Sequence, residues 1–508
     1  MALLGSLVKK GIELNQKFAF QSDDNLSQQV KQLKTLLDKA KDTAFGKFYA
    51  FEDLLKSDNP IKGFKEAVPI HDYNQINDRW WHQQQTHKDI TWPGKPSFFA
   101  LSSGTTGKTS KRIPITEDFL QSMRDVGTSL VRSLPNFNFP EELFESEILM
   151  LSSSANLSKH EYGHQEGEIS GINVSNFPGL YDFFYRPGKE IASIDNWDER
   201  VEAIAKEAPN WNIGAIAGIP SWVLLMLQKI IEEHDLDTIH DIWPNLTVYA
   251  SGGVAFETYR EDFNKVSKKP LTIIDTYLAS EGFFSYTSKP NAMDMRLALE
   301  HGYFYEFIPF DENGVDETGQ LLENPVSLTI DEVELEKDYV LIISSCAGAW
   351  RYAIGDTIKF ISLDPPEILI TGRTKFFLNV VGSQLSEEKL DDAILAVSKK
   401  HGININEYSV GAIKNNQDEY IHQWVVVSDE DIDEASFKES LDSELKDANK
   451  NYGVARSKAL KGIELKAISK DQYYSYLEKD KKKGGQIKTP KVMKEEKMNG
   501  LLSFLGEK

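Results

Sequence analysis

Hydrophobic residues recur at helical spacing through much of the first hundred residues. The stretch NLSQQVKQLKTLLDKAK at 25–41 places apolar residues three and four positions apart, which predicts an amphipathic helix. The opening MALLGSLVKKGIELNQKF has similar spacing, and its apolar run is too short for a secretory signal. We therefore expect a mainly helical beginning, with the first helix packed on the body of the protein.

From about residue 95 the apolar positions change to short runs that predict strands. The runs IGAIAGI at 213–219, LTVYASGG at 246–253 and LTIIDTY at 271–277 each end in small or polar residues. Ser221 is predicted to cap the helix that follows the first of them. The runs YFYEFIPF, VSLTIDEVEL, YVLIISS and DTIKFISL follow with little helix between them, which predicts an antiparallel section. Ligands in α/β proteins collect at the carboxyl ends of strands, where the polar clusters of this chain lie.

The composition changes after residue 371. A helix at 386–401, the strands INEYSVGAI and YIHQWVVVS, one long charged helix at 433–459 and the strand IELKAIS predict a compact α+β domain. The 508 residues are too many for one ordinary core. We therefore predict an α/β protein whose large N-terminal domain, 1–370, has mixed sheets flanked by helices and a β-rich section. A hinge at 371–376 would lead to a smaller, mobile α+β C-terminal domain, 377–508.

Composition narrows the classes of partner. The chain has 57 Lys and Arg against 78 Asp and Glu, a net charge of −21. Such an acidic chain favours solubility and suggests neither nucleic acid, nor a membrane surface, nor a stable protein partner. No stretch approaches the roughly 20 apolar residues of a membrane span. The single cysteine, Cys346, excludes an intrachain disulfide and fits a reducing cytoplasm.

The stretch SSGTTGKTS at 102–110 is the strongest candidate for chemistry. A Walker loop requires glycine where Ser102 stands and runs directly into a helix, whereas KRIPI after this loop predicts a strand. Small residues and hydroxyls between two strands can hold phosphate through backbone N–H and O–H donors. An ordinary polar hairpin turn is the alternative.

The cluster DTYLASEG at 275–282 suggests a nucleotide pocket. Tyr277 can stack on a base, Ser280 can bond phosphate, and Glu281 can hold Mg²⁺, which favours oxygen ligands. A capped turn explains the same residues equally well.

Two further clusters fit the same ligand. In WRYAIGD, the carboxylate of Asp356 can accept hydrogen bonds from ribose hydroxyls. In Ser251-Gly252-Gly253, the missing glycine side chains allow an adenine to lie against the backbone. Both stretches are also ordinary turn sequences.

The order and spacing of these motifs together resemble the Gretchen-Hagen-type (auxin-responsive promoter) acyl acid amido synthetases of the adenylate-forming superfamily. The motifs, spread between about residues 95 and 495, are SSGTTGKTSKRIP, DTYLASEG, YFYEFIP, WRYAIGD, GRTKFFLNVVG and GGQIKTPK. The resemblance implies the adenylate-forming architecture, ATP and Mg²⁺ as cofactors, and a small carboxylic acid and an amino acid as substrates.

The resemblance also assigns roles residue by residue. Together with Ser251, Gly252 and Gly253, proposed above from their own sequence, the ATP-binding positions are Ser102, Ser103, Gly104, Thr105, Thr106, Gly107, Tyr277, Ala279, Ser280, Asp356, Arg373 and Lys375. Glu281, as the Mg²⁺ ligand, and Lys488 are the catalytic residues. Lys488 resembles the superfamily's late lysine, which reaches the carboxylate and phosphate during adenylation.

Two positions depart from the family pattern. Lys491 stands where the family usually has arginine, and lysine forms a poorer bidentate contact. Ser383-Gln384 stands where plant-type members usually carry Glu-Lys. A phosphate-facing cation is therefore missing at the second position, which affects the details of amide transfer.

The implied reaction is ligation through an acyl-adenylate. The acid and ATP would give acyl-AMP and pyrophosphate, and an amino acid amine would then take the acyl group. Two unit charges about 4 Å apart repel by roughly 4 kcal/mol at an effective dielectric of about 20, so this site needs Mg²⁺, hydrogen-bond donors and a cation. The alternatives are an acyl-CoA synthetase that forms a thioester from the same adenylate and a non-catalytic nucleotide-binding protein.

Two other features have a weaker connection with function. His160-Glu161-Tyr162-Gly163-His164 matches the zinc-hydrolase pattern, but that pattern works only on a helix, and Gly163 predicts a loop here. The aromatic residues of YFYEFIP are candidate walls for the acyl acid pocket.

Overall fold

The structure is a computed structural model that describes residues 3–18, 24–102, 111–177, 179, 183–252, 256–316, 319–374, 385, 387–415, 419–458, 460–479 and 490–506. The beginning of the chain is mainly helical, as the sequence predicts. Its helices are α1 (Leu3–Phe18), α2 (Asn25–Ala40), α3 (Ala44–Phe48), α4 (Phe51–Leu55), α5 (Pro60–Ala67), α6 (Tyr73–Ile76) and α7 (His82–Gln84). Helix α1 packs on the body: the Gly5 N–H donates to Oε1 of Glu145 at 2.6 Å, and Lys9 Nζ donates to the Phe139 carbonyl at 2.8 Å.

Residues 98–373 alternate strands with helices. The strands are β1 (Phe98–Ser102), β2 (Lys111–Ile115), β3 (Glu147–Met150), β4 (Ser158–Lys159), β5 (Gln165–Gly167), β6 (Tyr185–Arg186), β7 (Ile213–Gly218), β8 (Val248–Gly252), β9 (Thr272–Ala279), β10 (Gly282–Tyr286), β11 (Met295–Leu297), β12 (Tyr303–Pro309), β13 (Asp338–Ser345), β14 (Ala349–Leu363) and β15 (Pro366–Arg373). The helices are α8 (Glu117–Ser133), α9 (Ile169–Ser175), α10 (Lys189–Ala192), α11 (Trp197–Glu207), α12 (Pro220–Glu233) and α13 (Arg260–Lys265).

Among the described residues, eleven of these strands form one sheet in the order β12-β13-β14-β15-β11-β10-β9-β8-β7-β3-β6. The half from β6 to β9 is parallel, and the half from β9 to β12 is antiparallel. A second sheet has the order β2-β1-β5-β4, and its β1 and β2 pair antiparallel. The predicted placement of the 102–110 stretch between two strands is therefore confirmed.

Helix α2 shows how the sequence sets the packing of the antiparallel half. The Asp24 carboxylate caps the helix by accepting from the Ser27 N–H at 3.0 Å. Leu33, Leu36 and Leu37 lie buried on one face of the helix, toward the core that contains β12. This helix covers one face of a strand that is buried almost throughout, which explains the continuous apolar run of β12.

The structure corrects two details of this region. The stretch VSLTIDEVEL is a loop with isolated bridges at Leu328 and Leu335, not a strand. The Thr329 hydroxyl donates to Asp331 Oδ1 at 2.6 Å, and the Thr329 N–H donates to Glu332 Oε2 at 2.8 Å, so local side-chain bonds replace sheet pairing. In addition, Ile219 rather than Ser221 is the N-cap residue of α12, which begins at Pro220.

The last part of the chain is an α+β unit. Its elements are α14 (Glu387–His401), β16 (Glu407–Lys414), β17 (Tyr420–Val427), α15 (Glu434–Ala448), α16 (Lys450–Lys458), β18 (Gly462–Ile468), α17 (Lys470–Lys479), β19 (Val492–Met493) and α18 (Glu495–Phe504). The sheet order is β18-β17-β16-β19, with separate apolar clusters packed around it. The single charged helix predicted at 433–459 is wrong, because Asn449 is extended and accepts from the Tyr452 N–H, which starts a second helix.

The mixed α/β fold class is confirmed, with mixed sheets flanked by helices in the large part and an α+β unit at the end. Cys346, the one cysteine of the chain, is buried next to β13, and burial raises the pKa of its thiol to about 12. Within the described ranges, no helix has the length and apolar character needed to span a bilayer.

Candidate active site

A cleft of about 3840 Å³ lies where the large part of the chain meets the α+β unit. Pockets for a single ligand usually measure about 300–1,000 Å³, so the cleft has room for several ligands at once. The parallel strands β3, β7, β8 and β9 direct their carboxyl ends toward it, and the residues there include Ser152, Gly218, Gly252 and Glu281. This is the edge of the sheet at which the sequence places the ligand.

Tyr277, Asp356 and Arg373 meet in this cleft. The Tyr277 hydroxyl donates to Asp356 Oδ2 at 2.6 Å, and Arg373 Nε lies 2.7 Å from Asp356 Oδ1. Burial raises the pKa of Tyr277 well above 10, and the Asp356 carboxylate, which accepts a hydrogen bond from this hydroxyl, raises the pKa further. The carboxylate keeps further lone pairs beyond these two bonds, so it can also accept from a ligand hydroxyl.

Glu281 lies beside this cluster and is buried. The Tyr352 hydroxyl donates to its Oε1 at 3.4 Å. Burial raises the pKa of Glu281, the Lys111 ammonium lowers it, and the Asp356 carboxylate raises it again. The net effect is a raised pKa, which marks a carboxylate whose charge is poorly compensated by the chain itself.

A tight hairpin brings the predicted residues of DTYLASEG into the cleft. Strand β9 extends to Ala279 and pairs with β10 through Ala279 opposite Gly282, so Ser280 and Glu281 form the turn. The cluster is therefore the end of one strand and a two-residue turn, rather than a polar segment after a strand that ends at Tyr277. Ala279 and Ser280 both line the cleft.

The remaining predicted residues fall into three groups. Ser102 and Gly252 line the cleft, whereas the Ser251 side chain lies in the interior of the protein. Other assigned positions lie outside the described residues; they are Ser103, Gly104, Thr105, Thr106, Gly107, Gly253, Lys375 and Lys488. Ser383 and Gln384, where the chain departs from the family pattern, lie outside them too.

Two cations at the start of β2 were missed by the sequence reasoning. Lys111 and Arg112 line the cleft directly after the 103–110 stretch. Arg112 Nε donates to Glu166 Oε1 at 2.7 Å, and the ammonium of Lys111 lies 5.3 Å from the centroid of the Tyr73 ring. Their position immediately after a candidate phosphate loop was the signal that could have identified them.

His160 and His164 lie on a turn between β4 and β5, as the glycine between them predicts. The His160 N–H donates to the His164 carbonyl, and the Gly163 N–H donates to the His160 carbonyl, both at 2.9 Å. Possible ligand atoms of His160, His164 and Glu166 lie within 4.8 Å of one another. The two imidazole rings, however, stack at 4.4 Å with their planes 11° apart. A metal lies in the plane of each imidazole that binds it, and two stacked parallel planes share no such point, so this arrangement is not a metal site.

The aromatic residues of YFYEFIP do not form walls of the cleft. Tyr303, Phe304, Tyr305 and Phe307 are buried in the core and are absent from the described lining of the cleft. Packing on both faces of β12 keeps these rings in the core and off the described wall of the cleft, so this prediction is wrong.

A buried ion pair explains the polar residues of two of the motifs. Glu306, inside YFYEFIP, accepts from Nη2 of Arg351, inside WRYAIGD, at 2.8 Å. The same guanidinium donates to the carbonyls of Lys65 and Val68, each at 2.7 Å. Arg351 therefore connects β12, β14 and the α5 region, so its contacts identify it as a structural residue.

Lys491 lies in the cleft wall contributed by the α+β unit. Its ammonium contacts both carboxylate oxygens of Asp391, at 2.7 and 2.6 Å. Asp391 also accepts from the Tyr408 hydroxyl at 2.7 Å. The lysine that replaces the usual arginine is thus held by its own domain.

Comparison with known proteins gives matches along most of the chain. Models of the GH3 family match it in three segments: the N-terminal domain at 15–184, the central domain at 296–373 and the C-terminal domain at 388–497. Together these segments cover more than half of the chain.

Individual relatives are distant. Indole-3-acetic acid-amido synthetase GH3.2 from Arabidopsis thaliana is 25% identical over 198 residues, which is 37% of this chain and 36% of that protein. Jasmonoyl--L-amino acid synthetase GH3.5 from Oryza sativa subsp. japonica is 27% identical over 276 residues, 50% of this chain and 46% of that protein. The chain thus spans between about a third and a half of the length of these two relatives.

The fold is shared more widely than the sequence. The structure of GH3.15 acyl acid amido synthetase superposes with a TM-score of 0.75 at 14% identity, covering 99% of this chain and 96% of that one. This match confirms the predicted two-part architecture.

Proposed function

The chain belongs to the GH3 family, and on that premise we propose that it is an ATP-dependent acyl acid amido synthetase. It activates a small carboxylic acid as acyl-AMP with release of pyrophosphate, and it transfers the acyl group to the amine of an amino acid. The relatives named above are amido synthetases of this kind, which supports the amide product.

The observation that carries the proposal is the meeting of Tyr277, Asp356 and Arg373 beside Glu281 in the cleft. Asp356, oriented by two donors of the chain, accepts from the ribose hydroxyls. Tyr277 lies against the adenine, and the turn at Ser280 faces the α-phosphate. Ser102, at the end of β1, begins the segment that holds the outer phosphates. Gly252 offers a backbone surface to the base.

The residues present fit a magnesium ion. Mg²⁺ commonly takes one or two protein carboxylates and completes its shell with substrate phosphates and water. Glu281 is a buried carboxylate with a raised pKa, and a divalent cation would stabilise its charged form. When bound, the ion would neutralise charge on the phosphates. Lys111 and Arg373 add fixed positive charge beside the same carboxylate.

The α+β unit acts as the lid of the site. Its residues Asp391 and Lys491 line the same cleft as Asp356 and Arg373. We assign the hinge to 371–376, with the large domain at 1–370 and the lid domain at 377–508, and place Lys375 at the hinge. Lys488 carries the cation that neutralises the attacking carboxylate and the α-phosphate. A closed lid excludes water from the acyl-adenylate until the amine arrives.

Pyrophosphate release tests this function. Purified protein is incubated with ATP, Mg²⁺ and a panel of small carboxylic acids, including indole-3-acetic and jasmonic acid, each with and without mixed amino acids. Release that depends on the acid, together with an amide product found by mass spectrometry, is the expected result. Release accompanied by a thioester with CoA and no amide would establish the acyl-CoA synthetase instead.

Variants connect the assay with the site. Glu281→Gln and Lys488→Met are expected to lower pyrophosphate release at least a hundredfold, because Lys488→Met removes a cation that offsets the repulsion of the two anions and Glu281→Gln weakens the hold on Mg²⁺, whose charge does the same. The matched control is Lys438→Met on the outer surface of the lid, where the lysine pairs with Glu464 at 3.2 Å. Full activity in Glu281→Gln or Lys488→Met would contradict the residue assignments, and ATP binding without any release would favour a non-catalytic nucleotide-binding protein.

A further inference from the structure

The lid contacts the rest of the chain through a cluster of polar side chains, most of them buried, here called the latch. It consists of Tyr259 and Asp262 from the large domain and Asn404, Asn406, Glu407 and Lys470 from the lid. The Asn404 amide donates to Asp262 Oδ1 at 2.8 Å, and the Asn406 amide donates to Asp262 Oδ2. The Lys470 ammonium lies 3.7 Å from the same carboxylate.

A second contact lies beside the first. The Tyr259 hydroxyl donates to Glu407 Oε1 at 2.6 Å. Tyr259, Asp262, Asn406 and Glu407 are each at most 7% exposed, so these bonds are made away from water. A buried carboxylate without partners is costly, and hydrogen bonds are directional, so the set defines one orientation of the lid.

In the large domain, the latch residue Asp262 is held by packing against the central sheet. Asp262 lies on the short helix α13, whose Phe263 stacks on Tyr249 of β8 at 4.7 Å and 25°. Strand β8 ends at Gly252, which lines the cleft. The position of Asp262 is therefore tied to the strand that forms one wall of the site.

The residues of the latch that belong to the lid are also connected to a wall of the cleft. Glu407 begins β16, and the N–H of Val410 on that strand donates to the Lys491 carbonyl at 2.7 Å. Val410 and Gly411 pair with Val492 and Met493 of β19. Lys491 lines the cleft and is held by Asp391. Glu407 of the latch and the chain next to Lys491 are thus connected through one small sheet.

From this arrangement we infer that Asp262 is a positioning residue for the adenylation half-reaction. It does not belong to the described lining of the cleft, but it fixes the lid in the orientation in which Asp391 and Lys491 line the same cleft as Asp356 and Arg373. The inference rests on the proposed function and concerns the orientation in which the lid completes the site. Holding reacting groups in register contributes much of an enzyme's rate, so loss of the latch is expected to slow the step that needs the lid closed.

The experiment compares Asp262→Ala with a control that removes a partner of the same lysine. Asp429 lies 3.8 Å from Lys470, and its side chain is 59% exposed. Both residues belong to the lid, so Asp429→Ala removes a partner of Lys470 without removing a contact between the two domains. Hydrogen–deuterium exchange of the peptides covering 404–414 and 256–265 measures docking of the lid. Pyrophosphate release measures adenylation, and thermal unfolding measures the stability of the fold.

Asp262→Ala is expected to increase exchange in both peptides and to lower kcat for pyrophosphate release at least tenfold, with KM for the acid little changed. Asp429→Ala should stay within twofold of the wild type in both measurements. A merely structural role for Asp262 would lower the unfolding temperature without separating kcat from KM. Equal exchange and equal kcat in Asp262→Ala and Asp429→Ala would overturn the inference.

Tyr259→Phe is the second variant, in case Asp262→Ala does not fold. It removes one oxygen from the latch and leaves the ring packed, so increased exchange at 404–414 supports the latch and unchanged exchange contradicts it. If the wild-type protein releases no pyrophosphate with any acid, the proposed function fails. The exchange experiment still decides whether the latch holds the lid, so the two failures are distinguishable.

Discussion

The hydroxyl of Tyr277 donates to Asp356 at 2.6 Å, although β9 and β14 lie four strands apart in the same sheet. In a flat sheet, four spacings of about 4.8 Å would separate them by roughly 19 Å. The antiparallel half must therefore curl back toward the parallel half. The cleft lies inside this curl, so its residues come from both halves of one sheet.

Removing the Tyr277 hydroxyl is expected to weaken ATP use. Tyr277→Phe leaves the ring in place but takes one donor from a buried carboxylate, a change that costs about 1.5–3 kcal/mol when the acceptor is charged. We expect kcat/KM for ATP to fall roughly ten- to a hundredfold by the same principle. Steady-state pyrophosphate release at varied ATP measures the change.

Tyr305→Phe is the matched control, because the Tyr305 hydroxyl donates to the Ala298 carbonyl at 3.0 Å within the core and not at the cleft. It should lower stability with no effect on KM for ATP. Equal kcat/KM values in wild type and Tyr277→Phe would show that Asp356 does not depend on this bond.

Asp275 gives a prediction about pH. Burial raises the pKa of its carboxyl from 3.8 to about 6. The folded state then binds the proton more tightly than the unfolded state, so this group makes the protein less stable as pH rises through the range from 4 to 6. At pH values above 6, a raised pKa of this size lowers the free energy of unfolding by about 3 kcal/mol.

Asp275→Asn should therefore raise the free energy of unfolding at pH 7.5 by up to about 3 kcal/mol, and the gain should shrink toward zero near pH 4. Urea unfolding of both proteins at each pH tests this. Asp58→Asn, at an exposed aspartate, is expected to change little at either pH. A gain that is the same at pH 4 and pH 7.5 would rule out titration of Asp275 as its cause.

The ion pair of Glu306 and Arg351 is expected to determine stability rather than chemistry. Glu306→Gln leaves a guanidinium buried without its carboxylate, and breaking a buried pair from one side typically costs about 3–5 kcal/mol. Denaturant unfolding should show this loss, whereas KM for ATP in the folded fraction should be unchanged.

Glu334→Gln breaks the exposed pair with Lys337 and is the comparison for Glu306→Gln. It should change stability by no more than about 1 kcal/mol. A raised KM for ATP in Glu306→Gln would instead assign this pair to the site.

The two histidines at 160 and 164 should retain no stoichiometric zinc. Equilibrium dialysis against Zn²⁺, followed by elemental analysis, is expected to give well below one equivalent, and the double variant His160→Ala/His164→Ala should give the same value. One equivalent in the wild type and none in the double variant would mean that the rings rotate out of their stack to bind the metal.

Local patterns in the sequence predicted much of the fold. The apolar runs at 213–219 and 271–277 are strands, and the stretch at 102–110 connects two strands, because side-chain periodicity and turn chemistry act over a few residues. The aromatic residues of β12 did not by themselves predict whether the strand faces a ligand or the core, because that depends on packing against α2, which is distant in sequence. Asn449 breaks a helix that its neighbours favour, since its side chain caps the next one.

The geometry of the site required the structure. Tyr277 and Asp356 were each proposed for nucleotide binding, but their hydrogen bond joins residues that no local pattern connects. The ion pair of Arg112 could not be foreseen, because its partner Glu166 is supplied by β5, a strand too short for periodicity to reveal. The contact between Asp262 and Asn406 could not be predicted from sequence either, because it depends on how the two domains meet.

The buried position of Cys346 has a practical consequence. A thiol whose pKa lies near 12 carries almost no thiolate at neutral pH, and thiolate is the form that alkylating reagents attack. Cys346 in the wild-type protein is therefore expected to react very slowly with maleimide dyes. A pair of cysteines introduced on the outer faces of the two domains would be labelled selectively, so fluorescence energy transfer between them could test the proposed motion of the lid in single molecules.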